Sequence, residues 1–149
     1  MLSQTTEYAL RLMVQLASER GRPVTIPHLA RMTQIPADYL AKVLRQLARS
    51  GLVRSQRGPN GGSRLTRRPE EITVLDVVQA VDPLRRIVVC PLGLPSHGAN
   101  LCPLHRRLDQ AIASVETAFR ASSLAEIAAD PRGRNPFCET RGRVSGGQP

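Results

Sequence analysis

The sequence predicts a mainly α-helical protein with one small β-hairpin: a winged helix-turn-helix followed by a long C-terminal dimerisation helix. Three observations support this fold class. Two short amphipathic patterns lie close together between Thr25 and Gly51. Two runs that can pair as strands follow directly and flank a glycine-rich loop. From Pro103, apolar residues then recur at helical spacing for about five turns.

A first helix is predicted between Ser3 and Gly21. Ser3 can cap its start, because a serine oxygen accepts a hydrogen bond from the free N–H groups of a first turn. Tyr8, Leu12 and Leu16 recur at four-residue steps, so one face of this helix should be buried. Gly21 ends the pattern.

The helix-turn-helix pair comes next. Thr25 is a good N-cap, and Pro27 lies in the first turn, where a missing N–H does no harm. Pro36 restarts the chain after a turn of three or four residues, and Gly51 stands where a left-handed residue would end the second helix. The apolar residues of this second helix are Leu40, Val43, Leu44 and Leu47.

A β-hairpin should follow the two helices and form the wing. Residues 52–56 and 64–67 can pair as short strands, joined by the loop RGPNGGS at residues 57–63. The Asn60-Gly61-Gly62 run in this loop tolerates the positive φ angles of hairpin turns.

Three further helical segments are predicted after the wing. Thr73 and Asp76 resemble a capping box for a short helix, which ends at Asp82 because the residue before a proline avoids helical geometry. The stripe from Pro103 would form a helix roughly 28 Å long, more than a small winged helix can cover. Ser123 can then cap one last helical turn.

We therefore expect the long helix to pair with the same helix of a second subunit, so that the protein is a homodimer. The residues expected at this interface are Leu108, Ile112, Val115 and Phe119.

Charge is concentrated in the first half of the chain. Residues 1–68 carry 12 basic residues and three acids, so their net charge of +9 equals that of the whole protein. Lys42, Arg45 and Arg49 lie opposite the leucines of the second helix, and five arginines lie on or beside the hairpin. A charged face kept only for solubility is the alternative, but charge, helix-turn-helix and wing coincide here, which favours a phosphate-binding surface.

Composition narrows the partner and the compartment. Aromatic residues make up only 3% and tryptophan is absent, which disfavours single-stranded nucleic acid, bound by base stacking, and favours duplex DNA. We see no membrane-spanning apolar run and no signal-peptide pattern, so we expect a cytoplasmic protein with no membrane partner. Three cysteines are too few and too unevenly placed for a secreted disulfide framework, which leaves reduced thiols, metal ligation or redox sensing.

Several motifs together resemble the Rrf2 family of bacterial winged-helix regulators, in particular its IscR- and NsrR-like members. They are the opening LSQTTEYALRLM, the unbroken stretch from IPADYLAKVLRQLARSGL through RGPNGGSRLTRRPEEITVLDVVQAVD, and Cys90 followed by Cys102-Pro103-Leu104-His105, within residues 1–130. The resemblance implies a homodimeric repressor on a pseudo-palindromic operator. It implies major-groove contacts from Ala37, Asp38, Tyr39, Lys42 and Arg45, and wing contacts from Arg57, Asn60, Gly61 and Arg64.

The resemblance also implies a sensor loop. Members with an iron–sulfur cluster carry three cysteines as C-x5-C-x5-C, and IscR-like members add a histidine three residues after the last. Cys90, Cys102 and His105 match the outer positions, whereas Ser96 occupies the middle one and His97 stands beside it. Some members also use an acidic ligand from the partner's first helix, which here would be Glu7.

Three interpretations of this loop remain open. The first is a two-iron, two-sulfur cluster held by Cys90, Cys102 and one or two histidines, since some iron–sulfur centres exchange cysteine for histidine. The second is a zinc site formed by Cys90, His97, Cys102 and His105. In the third, the loop binds no metal and its cysteines are small buried side chains or a thiol pair.

An enzyme is the remote alternative. The loop could hold a catalytic metal with Asp109 or Glu116 as base, but no further group completes such a site, and the helix-turn-helix would be unexplained. We predict a DNA-binding transcriptional regulator that senses redox, nitric oxide or iron–sulfur status; a zinc-stabilised or metal-free regulator is the alternative. Its parts would be a DNA-binding domain at residues 1–83, a sensor loop and dimerisation helix at 84–130, and a disordered tail at 131–149 that includes Cys138.

Overall fold

A computed structural model describes residues 2–97 and 100–129; the predicted tail and Cys138 lie outside these ranges. The elements follow the predicted order. The helices are α1 (Gln4–Ser18), α2 (Ile26–Thr33), α3 (Ala37–Arg49), α4 (Val74–Val81), α5 (Pro103–Ala121) and α6 (Leu124–Ala128). The strands are β1 (Val53–Gln56) and β2 (Gly62–Leu65), and short 3-10 turns cover Pro69–Glu71 and Pro95–His97.

The start and end of α1 follow from local chemistry. The Ser3 hydroxyl accepts a hydrogen bond from the Thr6 N–H at 3.2 Å, as a cap should. The helix ends at Ser18, three residues before the predicted Gly21, because Arg20 already adopts a left-handed φ of 52°. Leu12 and Leu16 are buried as expected.

The α2–α3 pair has the predicted layout. Thr25 stands at the N-cap of α2 without making a side-chain capping bond, and residues 34–36 form the turn. Gly51 has a φ of 72°, the left-handed conformation expected just past the end of α3. Leu40, Val43, Leu44 and Leu47 are all buried, which leaves the opposite face of α3 exposed.

The wing differs from its predicted register. Val53 pairs with Leu65 and Gln56 with Gly62, so β2 covers residues 62–65 rather than 64–67. The cause is Val24, which exchanges two backbone hydrogen bonds with Ser63, at 2.9 and 2.8 Å, and so extends the pairing toward the wing tip. Gly62 has a φ of 145°, and a Cβ there would lie 2.6 Å from the Val24 backbone, so only glycine allows this approach.

The C-terminal helices return to the first half of the chain. The Thr73–Asp76 capping box is present at the start of α4. After α5, the Leu124 N–H donates to the Ile72 oxygen at 2.8 Å, and the Leu124 side chain is fully buried in the same core as α1 and α3. The end of α5 is therefore anchored to the core that supports the helix-turn-helix.

One face of the middle of α5 is not covered by residues 2–97 and 100–129. None of its 19 residues is buried within the single chain; the sequence predicted that a second subunit would bury the apolar stripe. Leu108 and Val115 are 46% and 40% exposed, whereas Ile112 and Phe119 of the same stripe are half-buried. The apolar face centred on Leu108 and Val115 is therefore a candidate interaction surface.

Candidate DNA-binding surface and metal centre

The exposed face of α3 carries most of the residues predicted to meet the major groove. Ala37, Asp38, Lys42 and Arg45 are exposed, because the leucines of the same helix fill the core behind them. Tyr39 differs from these four residues, because its side chain is half-buried. The helix thus presents short and cationic side chains to the surface.

The Tyr39 side chain extends from α3 to α1. Its ring packs edge-on against the Tyr8 ring, with centroids 5.3 Å apart, and its hydroxyl is hydrogen-bonded to the Thr5 hydroxyl at 2.5 Å. The Lys42 ammonium lies 5.8 Å from the Tyr39 ring centroid. Sequence reasoning did not identify Thr5 and Tyr8 as neighbours of the recognition helix, since nothing local in the sequence indicates contacts with residues more than 30 positions away.

The wing carries a pair of facing arginines. Arg54 and Arg64 are direct partners across the β1–β2 ladder, an arrangement that is unfavourable for two like charges unless an anion neutralises them. Arg57 and Asn60 are exposed in the loop at the tip, and Gly61 closes that loop by donating its N–H to the Gly58 oxygen at 2.9 Å. This geometry suits a phosphate-binding surface.

We call Lys42, Arg45, Arg54, Arg57 and Arg64 the basic surface. Within residues 2–97 and 100–129, none of these five side chains pairs with a carboxylate. By contrast, Arg68, at the foot of the wing, is paired with Glu71, and this pairing lowers the pKa of the Glu71 carboxyl. The positive charge of the basic surface is therefore available to an external anion.

Arg11 of α1 contacts the start of the turn between α2 and α3. Its Nη1 donates a hydrogen bond to the oxygen of Thr33, the last residue of α2, at 2.8 Å. The same guanidinium forms an ion pair with Glu7, one turn earlier on α1. Glu7, the residue that the family resemblance suggested as a ligand for the partner's metal, is thus engaged within its own subunit.

Three of the four predicted metal ligands meet at the start of α5. The Cys90 and Cys102 sulfurs and a ring nitrogen of His105 all lie within 4.8 Å of one another. His105 Nδ1 is 3.6 Å from the Cys90 sulfur and 3.0 Å from the Cys102 sulfur. His97 Nδ1 contacts Cys90 at 3.2 Å but is not part of this mutual group.

The two nitrogen–sulfur separations, 3.6 and 3.0 Å, fit ligands of a single ion. With metal–sulfur bonds of about 2.3 Å and metal–nitrogen bonds of about 2.0 Å, the edge of a tetrahedral site is roughly 3.5 Å. Two thiolates and one imidazole suit zinc, and they are also donors that iron–sulfur centres accept. The three residues would hold three positions of such a site, and a fourth ligand would have to come from His97 or from outside the group.

The linker between α4 and Cys90, residues 82–89, is attached to α5 by charged hydrogen bonds. Arg86 donates two hydrogen bonds to Asp109, at 2.7 and 2.6 Å, and its Nη1 lies 3.5 Å from Glu116. The hydrogen bonds from Arg86 and from the Ile87 N–H lower the pKa of the Asp109 carboxyl below its usual range. Asp109 and Glu116, considered above as bases of an enzyme, are thus structural partners of one arginine.

Apolar side chains are exposed around this site. Val88 and Val89 in the linker are 77% and 71% exposed, and Leu92, Leu94 and Leu104 are also largely open. Leu108 and Val115, farther along α5, are also exposed. Among the described residues, no helix is both long and apolar enough to cross a bilayer.

Comparison with known proteins identifies the family. Residues 2–130 match Rrf2, described as an iron-dependent transcriptional regulator. A protein of Aquifex aeolicus named as an HTH-type transcriptional regulator is 28% identical over an alignment of 128 positions, and the alignment covers 84% of this chain and 89% of that protein.

Two solved structures show the same fold. CymR, the global cysteine regulator of B. subtilis, is 24% identical, with a TM-score of 0.72 over 87% of this chain and 98% of its own. T. potens IscR is 23% identical, with a TM-score of 0.69 over 85% of each chain. These matches confirm the winged-helix fold class, and the family match agrees with the prediction that the protein is a DNA-binding regulator and not an enzyme. The chain belongs to the Rrf2 family of transcriptional regulators.

Proposed function

We propose that this protein is a cytoplasmic, homodimeric repressor that binds a pseudo-palindromic operator in duplex DNA. In this proposal α3 enters the major groove and the wing lies near the minor groove. The observation that carries the proposal is the basic surface. Arg54 and Arg64 face each other, and in the described part of the chain no carboxylate neutralises them. DNA phosphates would supply the missing negative charge.

The dimer is supported by α5. Leu108 and Val115 remain exposed at the centre of a 19-residue helix, none of whose residues is fully buried by the described part of the chain. Pairing with the same helix of a second copy would cover this face by a two-fold contact. Two recognition helices would then be available for half-sites one helical turn apart, about 34 Å.

The sensor is supported by the convergence of Cys90, Cys102 and His105. A metal bound there would tie the linker to the first turn of α5, and α5 is anchored at its other end to the core beneath the recognition helix. Gain or loss of the metal could therefore alter the spacing of the two recognition helices. We propose that the signal is redox state, nitric oxide or iron–sulfur supply.

Two metal centres, an iron–sulfur cluster and a zinc ion, are compatible with the donors of this site. A two-iron, two-sulfur cluster agrees with the description of the family as iron-dependent. Zinc is favoured by the two nitrogen–sulfur separations of 3.6 and 3.0 Å, which are close to the edge of one tetrahedral site. The visible absorption spectrum of anaerobically purified protein, with assays for iron, sulfide and zinc, distinguishes them. Absorption with equal iron and sulfide would identify the cluster, and a colourless zinc protein would identify the alternative.

DNA binding is tested by selecting bound duplexes from a random library and measuring affinity against salt. We expect a pseudo-palindromic sequence, and we expect log affinity to fall with log salt by about 0.9 for each phosphate contacted. Selection of no sequence, combined with an affinity that does not change with salt, would rule out the proposed function.

A further inference from the structure

We propose that Cys90 and Cys102 form an intramolecular disulfide when a hydroperoxide oxidises the protein in its metal-free form. Both are free thiols in the structure, and their sulfurs lie within 4.8 Å. A disulfide bond is about 2.05 Å long, so the sulfurs must approach each other by less than roughly 3 Å. Rotation of the two side chains supplies movement on this scale.

The surroundings allow that approach. Cys90 lies in a segment without regular secondary structure, and Cys102 is the N-cap of α5, with an extended backbone and no side-chain capping bond. His105 Nδ1 contacts both sulfurs, at 3.6 and 3.0 Å, and so holds them near one edge of its ring. Oxidation would alter the contacts of the two sulfurs with His97 and His105, which lie in the same loop and at the start of α5.

Burial sets the order of the chemistry. Cys90 is 5% exposed, whereas Cys102 is partly exposed and is the sulfur that a small oxidant reaches first. The Cys102 thiolate attacks one oxygen of the hydroperoxide, so that an S–O bond forms, the O–O bond breaks and the other oxygen leaves as an alcohol or water after taking a proton. The product is a sulfenic acid, and the peroxide has been reduced by two electrons.

The second step closes the ring. The Cys90 thiolate attacks the Cys102 sulfur, the S–S bond forms, and the S–O bond breaks to release hydroxide, which leaves as water with one proton. A reducing dithiol reverses the reaction by exchange. Because the same two sulfurs are the candidate metal ligands, the disulfide and the metal exclude each other, and any effect on the operator rests on the proposed function.

The position of the arginines makes the test direct. Trypsin cleaves after Arg86 and Arg106, so residues 87–106 form one peptide that contains both cysteines, while Cys138 lies in the separate peptide 135–141. The full-length protein is stripped of metal with a chelator, treated with hydrogen peroxide, alkylated with iodoacetamide and digested. Mass spectrometry then reports the state of each cysteine.

Before peroxide, peptide 87–106 should carry two alkyl groups. After peroxide it should carry none and should have lost two hydrogens, and reduction should restore both alkylation sites. Cys138→Ser should leave this result unchanged. A crosslink between peptides 87–106 and 135–141, a crosslink between two copies of 87–106, or peptide 87–106 still carrying two alkyl groups would overturn the proposal.

The trapping variant gives a second readout. In Cys90→Ser, peroxide should leave Cys102 as a sulfenic acid, which a dimedone probe labels. The order of attack would be overturned by two results together: the probe labels Cys90 in Cys102→Ser, and it does not label Cys102 in Cys90→Ser. None of these measurements uses DNA, so a protein that selects no operator would remove the proposed function and leave the disulfide result standing.

Discussion

Arg86 donates a bidentate pair of hydrogen bonds to Asp109, from Nε to Oδ1 at 2.7 Å and from Nη2 to Oδ2 at 2.6 Å. The Ile87 N–H adds a third hydrogen bond to the same carboxylate, at 2.9 Å. This contact fastens the linker to α5 only four residues before Cys90. Paired charged hydrogen bonds of this form fix orientation as well as distance, so the contact also sets where the Cys90 sulfur can lie.

The first prediction concerns this contact. Arg86→Ala should release the linker and expose the Ile87 amide, whose hydrogen exchange should become as fast as that of an unstructured segment. Arg85→Ala is the matched control, because Arg85 is exposed and loses the same charge from the neighbouring position. Equal Ile87 exchange rates in both variants would show that the contact does not hold the linker.

The second prediction concerns pH. Pairing with Arg86 lowers the pKa of Asp109, so its carboxylate should remain charged at pH values where a free aspartate, with a pKa of about 3.9, is already protonated. The stabilisation is therefore fully present above pH 3.9 and is lost as the pH falls through the lowered pKa. An NMR titration should place the Asp109 pKa below the ordinary value in the wild type and near it in Arg86→Ala. A wild-type pKa at or above the ordinary value would contradict the contact.

The third prediction separates the wing from the recognition helix. Arg57→Ala should weaken binding to most duplexes alike, and the salt slope should fall by about 0.9 if one phosphate contact is lost. Lys42→Ala should instead alter sequence preference, by roughly 1–3 kcal/mol at one base pair if a base contact is lost. Arg107→Ala on α5 removes the same charge away from the basic surface and should change neither. Identical behaviour of the Arg57 and Lys42 variants on scrambled operators would refute the division.

The fourth prediction concerns the dimer. Replacing Leu108 and Val115 together by glutamate would bury unpaired charge at the proposed interface, at a cost of several kcal/mol, and sedimentation should then detect monomers. The control is Gln110→Glu with Thr117→Glu, which adds the same charge to exposed positions on the opposite side of α5. A dimeric Leu108/Val115 variant would place the interface elsewhere.

The fifth prediction tests Tyr39. Tyr39→Phe removes the hydrogen bond to Thr5, which should lower the free energy of unfolding by about 0.5–1.5 kcal/mol in urea denaturation. Tyr8→Phe is the control, since the Tyr8 hydroxyl only accepts a bond from the exposed Gln4 amide. Unchanged stability with altered operator preference would show that the Tyr39 hydroxyl reads bases and does not mainly position α3.

Local signals accounted for most of the secondary structure. The Ser3 cap, the Thr73–Asp76 capping box and the left-handed Gly51 all depend on residues within one helical turn, so they could be identified without knowing what packs against them. The exception was the second strand of the wing. Its register depends on Val24, 39 positions before Ser63, and no local pattern indicated that pairing.

The sequence by itself determined the winged helix-turn-helix, the concentration of positive charge in residues 1–68 and the candidate ligands, because periodicity, capping and composition act over short distances along the chain. The tertiary structure alone decided which of these residues meet. It placed His105 rather than His97 with both cysteines, joined Arg86 to Asp109, and left Leu108 and Val115 uncovered while Ile112 and Phe119 turned partly inward. The reason is physical: a side chain's partners depend on how helices pack, and packing is set by the whole core at once and not by any one segment.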